Sequence, residues 1–93
     1  MTRIYKHTGQ MMVKEIGNEK ILVPLRSNVA DMEQIYTLNE TAAFIWERMN
    51  GKHSTDEIAS QLADEYDVKL ETAVTDVEEF VTEMRDFLEL ING

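Results

Sequence analysis

Residues 38–46 read Leu-Asn-Glu-Thr-Ala-Ala-Phe-Ile-Trp, and this string constrains the fold more than any other because one side-chain period gives way to another there. Before it lie short runs with β-branched residues: Met-Met-Val-Lys-Glu-Ile at 11–16, Glu-Lys-Ile-Leu-Val-Pro-Leu at 19–25 and Met-Glu-Gln-Ile-Tyr-Thr at 32–37. Short runs bounded by turn residues read as strands. Gly17-Asn18 separates the first two, and Gly at the first central position suits a type II′ hairpin turn. In the second run Ile21, Val23 and Leu25 share a face by the two-residue period, which predicts that face for the core. Pro24 lacks a ladder donor and is expected near the strand's end. After a polar link at 26–31, the third run of a meander has a partner on one side only. Its other side leaves alternate N–H and C=O groups open, to be protected or used. Which residues face outward depends on a register that the sequence does not fix.

From residue 37 the signals are helical. Thr37 and Glu40 have the spacing of a capping box, and Asn39 is an equally good cap for the same helix. Ala42, Ile45, Trp46 and Met49 follow at i, i+3, i+4 and i+7, one apolar face that predicts a buried Trp46. Phe44 falls off that line, as a second buried face or as a contact for something bound; Tyr36 on the third strand carries the same two readings. Asn50-Gly51 stops the helix. Ser54 to Glu57 is a second capping box, opening a helix with Ile58, Leu62 and Tyr66 along one side. From about Leu70 a longer helix places Val74, Val77, Phe80, Val81, Met84, Phe87 and Leu88 on a broad stripe, with a weakly capped start at Lys69-Leu70. Strands followed by helices predict an α+β fold, a three-stranded antiparallel sheet with three helices on one face. At 93 residues this is expected to be one domain, with 1–9 as a flexible end, strands over 10–37 and helices over 38–91.

Composition closes off several kinds of chemistry. The chain has no cysteine, so it holds no disulfide, thiolate metal site or cysteine nucleophile. The amino-terminal residues lack the apolar core of a signal peptide and no run is long enough to span a bilayer, so the chain reads as cytoplasmic. Residues 1–53 carry seven Lys/Arg and six Asp/Glu, leaving +1; residues 54–93 carry two and twelve, leaving -10. That half repels phosphate backbones. Its carboxylates Glu71, Asp76, Glu79, Glu83 and Asp86 fall mostly off the apolar stripe, as a solvated surface or as one that steers a basic patch on a partner enzyme. In the second case, reversing Glu79 and Glu83 slows association with the enzyme and spares any peptide site. His7 and His53 have no metal-ligand spacing with another strong ligand and read as surface or loop residues. Asp64, Glu65 and Asp67 lack the glycine-centred loop of a calcium site and read as a solvated helix end. No nucleophile–base arrangement, phosphate loop or dinucleotide fingerprint is present, so no catalytic residue, metal or cofactor is assigned.

The 38–46 string, followed by Asn50-Gly51-Lys52-His53-Ser54-Thr55-Asp56-Glu57-Ile58-Ala59, by Glu65-Tyr66-Asp67-Val68 and by Asp76-Val77-Glu78-Glu79-Phe80, closely resembles the PqqD family over roughly residues 10 to 91. These are small peptide-binding domains, also called RiPP recognition elements, that hold a ribosomally made precursor peptide for a modifying enzyme. The resemblance implies a winged-helix-like, non-catalytic peptide chaperone, acting in coenzyme PQQ biosynthesis or a related pathway. By carry-over, the precursor's leader adds as a strand beside Met32, Glu33, Gln34, Ile35, Tyr36 and Thr37, in a groove walled by Val77, Phe80, Val81 and Met84. Main-chain pairing with an open edge is a chemistry that the third run itself supports. The implied partner is a radical-SAM maturase, with the chain itself a monomer or weak homodimer. Two other functions use the same features. The helix–turn–helix flavour of 38–66 fits a winged-helix DNA-binding regulator, although the acidic half opposes it, and an open edge also fits a structural homodimerisation module.

Overall fold

The computed structural model describes residues 3–9, 11–25 and 35–92. In chain order its elements are β1 (Ile4–His7), β2 (Met11–Ile16), β3 (Glu19–Pro24), β4 (Tyr36–Leu38), α1 (Glu40–Arg48), β5 (Asn50–Ser54), α2 (Thr55–Tyr66), α3 (Leu70–Met84) and β6 (Leu88–Asn92). A single 3-10 turn, Arg85–Phe87, joins α3 to β6. The strands form two antiparallel sheets, ordered β5-β1-β6 and β2-β3-β4, and the fold is α+β. Of the expected third strand, residues 32–34 lie outside the described residues.

The β2–β3 hairpin turns as its residues dictate. Gly17 has φ of +61° while Asn18 is not in the left-handed region, the signature of a type II′ turn. Pro24 ends β3. The face prediction for β3 fails. Leu22 is 1% exposed and Lys20 is buried beside it, whereas Leu25 is 55% exposed and Ile21 and Val23 are only partly covered. With Ile21-Leu22-Val23 apolar on both faces, the two-residue period cannot choose between them. The tertiary structure chooses because the Lys20 stem packs inward while its ammonium pairs with Glu15 and, at 2.9 Å, with Glu47.

α1 is capped by Asn39, whose side chain accepts from the Ala42 N–H at 2.9 Å, which decides between the two caps the sequence allowed. At the second helix the capping box forms: Glu57 N–H donates to Ser54 Oγ at 3.1 Å and Ser54 N–H donates to Glu57 Oε1 at 2.9 Å. Lys69 makes no side-chain cap to α3, in line with its weak start. The α3 stripe holds at Val77, Phe80, Val81 and Met84 but not at its first position, where Ala73 is buried and Val74 is 38% exposed, the smaller side chain lying at the packed face. Phe87 and Leu88 leave the helix, and Leu88 opens β6.

The β5-β1-β6 sheet corrects the expectation of a flexible 1–9 and an all-helical 38–91. β1 pairs with segments more than forty residues away, Ile4 opposite both Ser54 and Asn92 and His7 opposite Leu88. Asn-Gly-Lys-His-Ser carries little strand propensity, Ile-Tyr-Lys-His is only four residues long, and no hairpin turn announces their pairing. Long-range partners, not local preference, make them strands. The core lies between sheets and helices, with Leu22, Met49, Ile58, Leu62, Val77 and Met84 the largest fully covered side chains.

Candidate functional site

A two-residue hairpin closes on a pair that exchanges both hydrogen bonds, and bonded and unbonded pairs then alternate. Here the closing pair is Ile16 with Glu19, so Glu19, Ile21 and Val23 turn their backbone groups to β2 while Lys20 and Leu22 turn theirs to β4. Leu38 pairs with Lys20 and Tyr36 with Leu22, which engages both on the β3 side. Thr37, between them, therefore directs its N–H and C=O to the open edge. Ile35 shares its parity. This supplies the register that the sequence left open.

All three β4 residues line a groove of about 290 Å³ whose opposite wall is α3, contributing Phe80, Glu83 and Met84. Asn39 and Ala42 close one end, and Glu19 stands at the rim from β3. The groove runs on around the start of α1, where a further 330 Å³ is lined by Thr41, Ile45, Asp76 and Glu79 and shares Asn39, Ala42, Phe80 and Glu83 with the first part. Its floor is apolar, since Phe80 and Met84 belong to the core and only their edges reach it. Tyr36 is fixed edge-on against Phe87 with ring centroids 5.4 Å apart.

Tyr36, Thr37, Phe80 and Met84 from the expected set thus come together. Val77 and Val81 do not line the groove; both are core side chains, 1% and 7% exposed, on the buried stripe of α3. Ile35 is 54% exposed at the entry to β4, and Met32, Glu33 and Gln34 lie outside the described residues. Sequence reasoning missed Leu38, Asn39, Ala42 and the acidic rim. It also set Glu79 and Glu83 apart from any peptide site, whereas Glu83 borders both parts of the groove and Glu79 one of them. Their i, i+4 spacing around Phe80 on α3 was the available signal.

Trp46 is 3% exposed, as its stripe predicted, and Phe44 forms the second buried face of α1, edge-on to Tyr66 and under the Arg48 guanidinium at 3.5 Å. His7 is no loop residue. Its ring stacks on Trp46 with centroids 3.6 Å apart, and its Nε2–H donates to the Trp46 carbonyl at 2.6 Å. Burial pushes the His7 pKa down, and the carbonyl hydrogen bond opposes that shift in part. A separate cleft of about 220 Å³ beside the hairpin turn is lined by Glu15, Lys20, Glu40 and Glu47; there Lys20, its pKa raised by hydrogen bonds to Glu15 and Glu47, already pairs with two of the carboxylates. Asp64, Glu65 and Asp67 lie exposed at the end of α2, Asp67 in the left-handed region as its cap.

The family model for coenzyme PQQ synthesis protein D (PqqD) matches residues 19–86. No curated protein matches the chain. Among solved structures, TbiB1 in complex with the TbiA(beta) leader peptide is similar with a TM-score of 0.74 and 21% identity, over 90% of this chain and 94% of that one. A lasso peptide synthetase B1 complexed with the leader peptide is similar with a TM-score of 0.75 and 25% identity, over 91% and 96%.

Proposed function

The chain belongs to the PqqD family, and from that premise we propose that it recognises the leader of a ribosomally made precursor peptide by strand addition to β4. The observation that carries the reading is the β4 edge, open among the described residues, with the Thr37 backbone groups turned away from β3 above a groove walled by α3. An added strand satisfies those groups, and the groove takes alternate side chains, a division of labour typical of β-augmentation. Both similar structures hold leader peptides, which supports the same occupant here. Ile35, Tyr36, Thr37, Phe80 and Met84 form the proposed contact surface, joined by Leu38, Asn39 and Ala42.

The chemistry on the precursor belongs to a separate maturase, of the radical-SAM type, and this chain brings the two together without catalysing a step. A DNA-binding role is disfavoured, because neither α2 nor α3 contains a Lys or Arg with which to meet phosphates.

Calorimetry with the leader peptide encoded beside the gene tests the proposal, read together with amide exchange. Binding should slow exchange at the Thr37 amide and leave Tyr36 and Leu38, already paired, little changed. Absence of binding by a well-folded chain, or protection confined to residues away from β4, overturns it.

A further inference from the structure

Resting on the peptide-binding reading of the β4–α3 groove, we infer that its occupant is a cationic strand, one with an apolar anchor for the floor and Lys or Arg at alternating positions beside it. The two halves of this inference come from different parts of the groove. The floor, made by Phe80 and Met84, offers no polar partner and takes an aliphatic or aromatic side chain. Among the described residues, every charged side chain lining the groove is acidic, Glu19 from β3 and Asp76, Glu79 and Glu83 from α3, and none is a Lys or Arg.

Charge pairing elsewhere makes this rim distinct. Glu15 and Glu47 share Lys20 as an ion-pair partner, Glu78 pairs with Arg3 and Glu89 with Lys6. Among the described residues, none of the four rim carboxylates has a cationic partner. A concave surface lined by one sign of charge focuses the field and attracts the opposite sign.

Spacing favours an extended partner. Asp76, Glu79 and Glu83 stand at i, i+3 and i+7 on one face of α3, and Glu79 to Glu83 rises about 6 Å along the helix axis. Residues two apart on one side of a strand are separated by about 6.6 Å. Two same-side basic residues of an added strand can therefore follow the helix carboxylates without bending the strand. A Lys or Arg stem in that position also covers apolar floor while its head stays at the wet rim.

The test pans a phage-displayed library of random twelve-residue peptides on the full chain, on the double variant E79K/E83K and on Thr37→Pro, each checked by thermal melt. Wild type should enrich peptides with Lys or Arg two residues from an apolar residue. These should be lost on Thr37→Pro, weaken about tenfold on E79K/E83K in line with two exposed charge pairs reversed, and weaken further as salt is raised. The reversed variant should enrich Asp or Glu at the same spacing. Apolar peptides with no basic preference, lost on Thr37→Pro but indifferent to the reversal, overturn the cationic inference and leave strand addition standing. Basic peptides retained on Thr37→Pro bind acidic surface elsewhere and also overturn it. If no peptide depends on the β4 edge, the strand-addition reading fails and this inference with it.

Discussion

The two sheets have the same strand number and opposite designs. β5-β1-β6 is stitched from three remote segments: Tyr5 is buried beneath it, Thr55 N–H donates to the Arg3 carbonyl at 2.8 Å, and Arg3 is paired with Glu78 on α3. His7, at the end of its central strand, lies flat on Trp46. β2-β3-β4 begins as a local hairpin whose outer strand is mostly exposed, and its other edge opens on a groove. The first sheet spends its pairing on closing the chain around the helices. The second can present its β4 edge over a groove because its central strand, held by Leu22 and Lys20, already secures it to the core. Closure and recognition are thereby separated, and a change in one sheet should register differently from a change in the other.

The largest effect is expected where the closing sheet meets the core. Trp46→Ala removes the ring on which His7 stacks and against which Phe80 packs edge-on, and should destabilise the chain by about 3–5 kcal/mol in a urea titration. A loss under about 1 kcal/mol would mean that β1 is held by its backbone pairing alone.

Proline substitutions in β4 divide the recognising sheet into its two functions. Tyr36→Pro deletes an inward donor and should lower the melting temperature markedly, whereas Thr37→Pro deletes an outward donor, keeps a cooperative melt and weakens leader binding by about 1 kcal/mol or more. Equal damage to folding from both would show that the assigned register is wrong.

A smaller effect belongs to Ser54, at once the last residue of β5 and the cap of α2. Ser54→Ala should reduce stability by about 1 kcal/mol and leave leader affinity unaltered, as measured by denaturation beside calorimetry. If affinity falls as well, the sheets are coupled more closely than their separate orders imply.

The smallest effect is a pH slope. Because burial depresses the His7 pKa in the folded state, the unfolded chain binds more protons just below the ordinary value of 6.5, and stability should fall as pH drops from about 7.5 to 5.5. His7→Gln should flatten that slope. A slope that persists unchanged in the variant would place the titrating group elsewhere.

Legibility followed the range of the interactions. The type II′ turn at Gly17-Asn18, the capping box at Ser54 and the weak start at Lys69 were readable because each is decided within four residues of itself. The third run's single-sided pairing was also readable, whereas the wall on α3 came from the family resemblance, and of its four residues only Phe80 and Met84 line the groove. The face of β3, the pairing of β1 with β5 and β6, the His7–Trp46 stack and the acidic rim were not.

What the sequence by itself determined is the β2–β3 hairpin, the succession of the three helices, the burial of Trp46 and the side chains α3 can offer, since propensity, capping and periodicity act along the chain. What only the tertiary structure decided is which face of β3 turns inward, which backbone groups of β4 remain free, and that Glu19, Asp76, Glu79 and Glu83 share one groove. Those outcomes depend on contacts between segments tens of residues apart. Such contacts are selected by how well the whole core closes, a quantity to which no short stretch of sequence corresponds.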